Sequence, residues 1–104
     1  MKQLTLTDSI DELLLEHEYS LLYFTAAWCG PCKSMSPIID QVSGLMSDRF
    51  NTIKIDVDNV AKVASDYGIR SVPTLMLVKD DVIIEQRVGG LPPQQLIQWL
   101  EQFT

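Results

Sequence analysis

Cys29 and Cys32 are the only cysteines among 104 residues, and they stand two residues apart within Trp28-Cys29-Gly30-Pro31-Cys32. An apolar run, Leu21 to Thr25, precedes them, and a segment with helical periodicity follows to about Met46. A strand that delivers two thiols to the start of a helix suits reversible disulfide chemistry. Exchange needs a thiolate, and a free thiol with pKa near 8.5 is mostly protonated at neutral pH. A helix amino terminus offers unpaired backbone N–H groups and the positive end of the helix dipole, both of which favour the anion. Gly30 tolerates a tight entry into the helix, and Pro31 has no N–H to lose in a first turn. A bare C-x-x-C is weak by itself, since a zinc site can share it.

The elements that must hold these thiols can be read from periodicity. Leu4 and Leu6 alternate with polar residues as a short first strand. Ser9 with Glu12 fits a capping box for a helix carrying Ile10, Leu13, Leu14 and His17 on its apolar phase. A lone histidine there is expected to pack at the helix end near the negative dipole pole, not to bind metal. Tyr19 to Thr25 reads as a central strand buried on both faces. The following helix stripes Met35, Ile38, Ile39, Val42, Leu45 and Met46, with Pro37 expected to kink it. Ile53, Ile55 and Val57 alternate as a third strand, and Asp58 or Asn59 is expected to cap a short helix that Gly68 ends. Thr74 to Val78 is a fourth strand, turning at Lys79-Asp80-Asp81 into a fifth from Val82 to Val88. Gly89-Gly90 breaks that strand, and a last helix from near Pro92 packs Leu96, Ile97, Leu100 and Phe103. The order βαβαβαββα implies an α/β fold: a five-stranded mixed sheet, helices on both faces, one domain over residues 1–104.

Composition narrows the function. Hydrophobic residues make up 46% and charged residues 21%, which excludes a disordered or coiled-coil chain. The formal net charge is −6, and the eight Lys and Arg are scattered, so nucleic acid is not an expected partner. No apolar run approaches the roughly 20 residues of a membrane span, and the amino terminus lacks a signal-peptide core. A cytoplasmic protein is expected, and a lone cysteine pair in a compartment that keeps thiols reduced is expected to be catalytic.

Trp28-Cys29-Gly30-Pro31-Cys32-Lys33 resembles the active-site signature of the thioredoxin family. The resemblance extends to Pro37, to Lys54-Ile55-Asp56-Val57-Asp58, to Tyr67 through Thr74 with Val72-Pro73, and to Val88-Gly89-Gly90. It covers essentially the whole chain and implies the thioredoxin fold. It further implies that Cys29 is an exposed nucleophile, Cys32 the resolving thiol, and their redox-active disulfide the working group, with no bound cofactor or metal. Trp28, Gly30 and Pro31 would shape the rim. Pro73, implied to be cis, would face the disulfide, and with Trp28, Val72, Gly89 and Gly90 would line a groove for substrate backbone. A cis peptide there would leave the backbone of Val72 free to pair with an extended peptide. The implied activity is reduction of protein disulfides by a monomer that an NADPH-dependent thioredoxin reductase recharges, and the Gly-Pro spacer points to a reductant.

The chain departs from that pattern beneath the cysteines. The family usually carries a buried aspartate six residues before the first cysteine; here Tyr23 stands there, and a phenol with a reference pKa near 10 is no equivalent base. Thr25 stands where a second tryptophan is common, and Ala27 is less polar than usual. Tyr23 is expected to fill core volume, its hydroxyl bonded near Lys54 or to water. Lys54, without an acidic partner, would pair with Asp56, Asp58 or solvent. Loss of the buried charge should favour the Cys29 thiolate, make the protein more oxidising and slow deprotonation of Cys32. These departures leave two other readings open, a weak oxidase or isomerase and a thioredoxin-like partner-binding module; a zinc-bridged dimer is more remote.

Overall fold

A computed structural model describes residues 1–104. Its elements are β1 (Lys2–Gln3), α1 (Ile10–Leu15), β2 (Tyr19–Thr25), α2 (Gly30–Leu45), β3 (Asn51–Asp56), α3 (Ala61–Asp66), β4 (Thr74–Lys79), β5 (Val82–Val88) and α4 (Pro93–Glu101). The strands form one sheet in the order β1-β3-β2-β4-β5. β3 runs parallel to both β1 and β2, whereas β2–β4 and β4–β5 are antiparallel. β2 is therefore central, and its carboxyl end presents the cysteine loop.

Alternation along the strands divides the core. Leu21 and Tyr23 of β2, with Leu75 and Leu77 of β4, meet Met35, Ile39 and Val42 of α2 and Leu96, Trp99 and Leu100 of α4. Leu22 and Phe24, with Met76, Val78, Ile53 and Ile55, face the other way towards Leu14 and Val60. A strand buried on both faces needs apolar residues at odd and even positions alike, which is what β2 supplies. Asp80 and Asp81 take φ of 49° and 69°, the left-handed pair that a two-residue hairpin requires and that aspartate tolerates.

Several boundaries differ from the sequence reading. The first strand is Lys2–Gln3, and Leu4 adds a last rung by donating its N–H to the Lys54 carbonyl at 2.9 Å. Leu6 is 83% exposed. The chain turns away because the Thr5 N–H and hydroxyl both donate to the Asp8 carboxylate. Ser9 caps α1 as expected, accepting from the Glu12 N–H, but α1 stops at Leu15. His17 is thus exposed beyond the helix, in the turn that must deliver Tyr19 to β2. Neither Asp58 nor Asn59 caps α3. Val60 is its N-cap residue, and Asp56 instead accepts from the N–H groups of Asp58 and Asn59 in the preceding turn. Gly68 ends α3 with φ of 69°. Pro37 lies inside α2 without ending it. Leu45 faces solvent because it lies off the stripe of Met35, Ile39, Val42 and Met46 that meets the sheet, while Trp99 is a core residue that the periodicity of α4 did not single out.

Candidate active site

Cys29 is the N-cap residue of α2, and Pro31 occupies its first turn. The two cysteines form a disulfide, with Cα atoms 5.3 Å apart. The Cys32 N–H donates to the Cys29 Sγ at 3.2 Å. An N–H aimed at that sulfur stabilises negative charge there once the disulfide opens. The expected exposure of Cys29 is not found: it is 4% exposed against 1% for Cys32. The reason is local packing, since both sulfurs sit in a small cluster with Ala26, bordered by Val57 and Val72. The Val72 carbonyl oxygen lies 3.6 Å from the Cys29 Sγ.

On the outer side, the Val72–Pro73 peptide is cis and Pro73 is buried. The Pro73 carbonyl accepts from the Gly89 N–H at 2.9 Å, which ties the loop before β4 to the turn after β5. Gly89 has φ of 95°, a conformation that side chains resist, and this is the physical need for glycine there. Gly90 lies beside it, next to Met35 of α2. Thr74 fixes the same loop by donating its hydroxyl to the Ser71 carbonyl at 2.7 Å. Trp28 is 69% exposed, and its Nε1 donates to the Asp58 carboxylate at 2.8 Å. Asp58 was not singled out as a site residue; its place at the end of β3, beside the cysteine loop, becomes evident only once β2 and β3 are paired.

Beneath the disulfide, Tyr23 is fully buried. Its hydroxyl is bonded to α2 and not to Lys54. It donates to the Cys32 carbonyl at 3.1 Å and bonds the Ser36 hydroxyl at 2.8 Å, so it fastens the first turns of α2 to the sheet. Register places Lys54 opposite Tyr23 and Asp56 opposite Thr25. Lys54 makes no ion pair with Asp56 or Asp58; the three ion pairs of the molecule lie elsewhere. Between α2 and β3 opens a pocket of about 800 Å³, lined among others by Thr25, Cys32, Ser36, Lys54 and Asp56. Thr25 is one of its walls, so a tryptophan there would take up part of that space. No group of three or more His, Cys, Asp or Glu is gathered closely enough to hold a metal ion.

This arrangement has recognisable counterparts. The family model described as Thioredoxin matches residues 2–102. A thioredoxin of Rhodospirillum rubrum is 32% identical over 101 residues, covering 97% of each chain. Thioredoxin 1 of Synechococcus elongatus is 40% identical over 82 residues, covering 79% of this chain and 77% of its own. Among solved structures, Plasmodium falciparum thioredoxin superposes with a TM-score of 0.90 at 29% identity, covering 100% of both chains.

Proposed function

The chain belongs to the thioredoxin family and is a protein thiol–disulfide oxidoreductase, and from that premise we propose how its residues divide the work. Cys29 attacks as thiolate on a sulfur of the substrate disulfide, forming a mixed disulfide and releasing one substrate thiolate. Cys32 then loses its proton and attacks the Cys29 sulfur, which restores the internal disulfide and frees the second substrate thiol. The observation that carries this assignment is the Cys32 N–H directed at the Cys29 Sγ from the first turn of α2. It favours the anion on Cys29 and leaves Cys32 the less accessible thiol.

Substrate approach is over the face formed by Trp28, Val72, Pro73, Gly89 and Gly90. Val72 lies outside β4 and makes no backbone hydrogen bond, so its N–H and carbonyl are available to an extended segment. The Gly89-Gly90 turn lets a substrate backbone come close. Gly30 and Pro31 hold the loop between the thiols, while Tyr23 and Lys54 support it from below. No helix is long and apolar enough to cross a membrane. A cytoplasmic setting, a monomeric single domain and recharging by an NADPH-dependent thioredoxin reductase fit a chain whose sole cysteines are a reactive pair.

The test is turnover of a model protein disulfide with thioredoxin reductase and NADPH. Sustained NADPH oxidation that disappears in Cys29→Ser is expected. A normally folded protein with negligible turnover would move the weight to a partner-binding module.

A further inference from the structure

We propose that Asp56 receives the proton of Cys32 through solvent in the pocket beneath α2, so that this open side supplies the base that the buried core lacks. The inference rests on Cys32 being the resolving thiol. That step demands deprotonation of a sulfur that is 1% exposed, and a thiol loses its proton quickly only with an acceptor within reach or one water away. The residue directly beneath it is no such acceptor. The Tyr23 hydroxyl is engaged with the Cys32 carbonyl and Ser36, and a phenol is ordinarily protonated near neutrality.

Other ionisable groups line the opening beside Cys32. From α2 come Lys33 and Asp40, from β3 Lys54 and Asp56, and from the start of the chain the amino group of Met1. Asp40 is paired with that amino group at 3.7 Å. Asp58, beyond β3, holds the Trp28 indole. His17 opens onto a separate, smaller pocket. Asp56 remains. One of its oxygens takes the two N–H groups of the turn at Asp58 and Asn59, and the other receives no hydrogen bond from the protein. Asp56, Thr25 and Cys32 line the same opening, which is polar and wide enough for several waters. Lys54, half-buried in that opening and free of any ion pair, offsets the charge of the carboxylate and of the thiolate as it forms.

The Cys32 S–H proton passes through solvent to the Asp56 carboxylate. The resulting thiolate attacks the Cys29 sulfur, the Cys29–Cys32 bond forms, and the bond from Cys29 to substrate breaks. The substrate sulfur leaves as thiolate and is protonated from water, and Asp56 returns its proton through the mouth of the pocket.

The sign of one substitution separates this role from a mere charge effect. Asn retains an oxygen for the turn at Asp58 and Asn59 but accepts no proton. If Asp56 acted only as a nearby negative charge, Asp56→Asn would ease ionisation of Cys32 and speed resolution. As a proton acceptor, its loss slows resolution. Rapid mixing of the reduced protein with excess peptide disulfide resolves attack, which depends on concentration, from resolution, which does not. For Asp56→Asn the expected result is unchanged attack, resolution slowed about tenfold at pH 7, and convergence with the unsubstituted protein as pH rises past about 9. Asp56→Glu should restore most of the rate. Resolution that is unchanged or faster in Asp56→Asn overturns the proposal while leaving the disulfide reductase reading intact. Failure of the peptide disulfide to oxidise Cys29 and Cys32 in the unsubstituted protein would instead contradict that reading. Should Asp56→Asn fail to fold, Asp56→Ser keeps an oxygen for the turn at Asp58 and Asn59 and likewise accepts no proton; slower resolution supports the proposal and an unchanged or faster rate overturns it.

Discussion

The two sides of the Cys29–Cys32 disulfide are built on different terms. The outer side, the proposed approach for substrate, is backbone-rich and closely tied: a cis Val72–Pro73 peptide, a Gly89 N–H on the Pro73 carbonyl, and an indole held by Asp58. The inner side combines a fully buried tyrosine with an open polar pocket, where the family usually places an acid and often a second tryptophan. The difference separates two demands of the reaction. Recognition of a substrate backbone asks for fixed geometry, which tolerates little change. Proton removal asks only for an acceptor within reach, and more than one arrangement supplies it.

Substitutions on each side should therefore fail differently. The largest effect belongs to the disulfide itself: Cys29→Ser should lower protein-disulfide turnover more than a thousandfold, measured by reductase-coupled NADPH oxidation. Next is Tyr23→Asp, which returns a carboxyl group beneath the cysteines. It should raise the pKa of the Cys29 thiol, read by thiolate absorbance against pH, because a buried negative charge opposes the anion. It should also speed resolution near neutrality and make Asp56→Asn nearly silent in the same background. Coincident thiolate titrations for Tyr23→Asp and the unsubstituted protein would contradict this account of the inner side. Trp28→Ala should raise KM for protein substrates several-fold with a smaller change in kcat, since it removes exposed contact surface and leaves both sulfurs in place.

Smaller effects concern the scaffold. Tyr23→Phe keeps the ring and loses one buried and one half-buried hydrogen bond, for a cost of about 1–2 kcal/mol in chemical denaturation. Far from the disulfide, Asp8 is held below its ordinary carboxylate value of 3.8, first by the Thr5 N–H bond, then by the Thr5 hydroxyl and Lys2. With the folded-state value depressed, its contribution is present above 3.8 and is lost as pH falls through the folded value. Asp8→Asn should thus lower stability slightly at pH 7, with the gap closing in strongly acidic solution.

Much of the outer side was legible through the resemblance carried by Trp28-Cys29-Gly30-Pro31-Cys32, Val72-Pro73 and Val88-Gly89-Gly90, which implies the cis peptide and the groove; a proline before a strand is by itself as compatible with a trans turn. The order of elements, the burial of β2 on both faces and the antiparallel pairing of the last two strands followed from patterning and the short turn at Asp80-Asp81, whereas the sheet order β1-β3-β2-β4-β5 is set by packing between distant segments. The inner side was less legible. That Tyr23 replaces an acid was evident, but its bonds to the Cys32 carbonyl and Ser36 depend on how α2 sits over β2, which sequence spacing does not define. Asp58 and Asp56 have the same difficulty. Both read as candidate helix caps or partners of Lys54, and only strand pairing assigns one to the indole and the other to the pocket and its turn. The burial of Cys29 is hidden from the sequence for a related reason, since Val57 and Val72 reach it from distant parts of the chain.

The division of labour between the two thiols is tested most directly by trapping the covalent intermediate. Cys32→Ser and Cys29→Ser, each reduced and mixed with a protein disulfide, can be compared by mass spectrometry of the linked peptides. Accumulation of a substrate adduct on Cys29 in Cys32→Ser, with little or none on Cys32 in Cys29→Ser, is the expected result. Equal trapping at both positions, or an adduct on Cys32 alone, would contradict it.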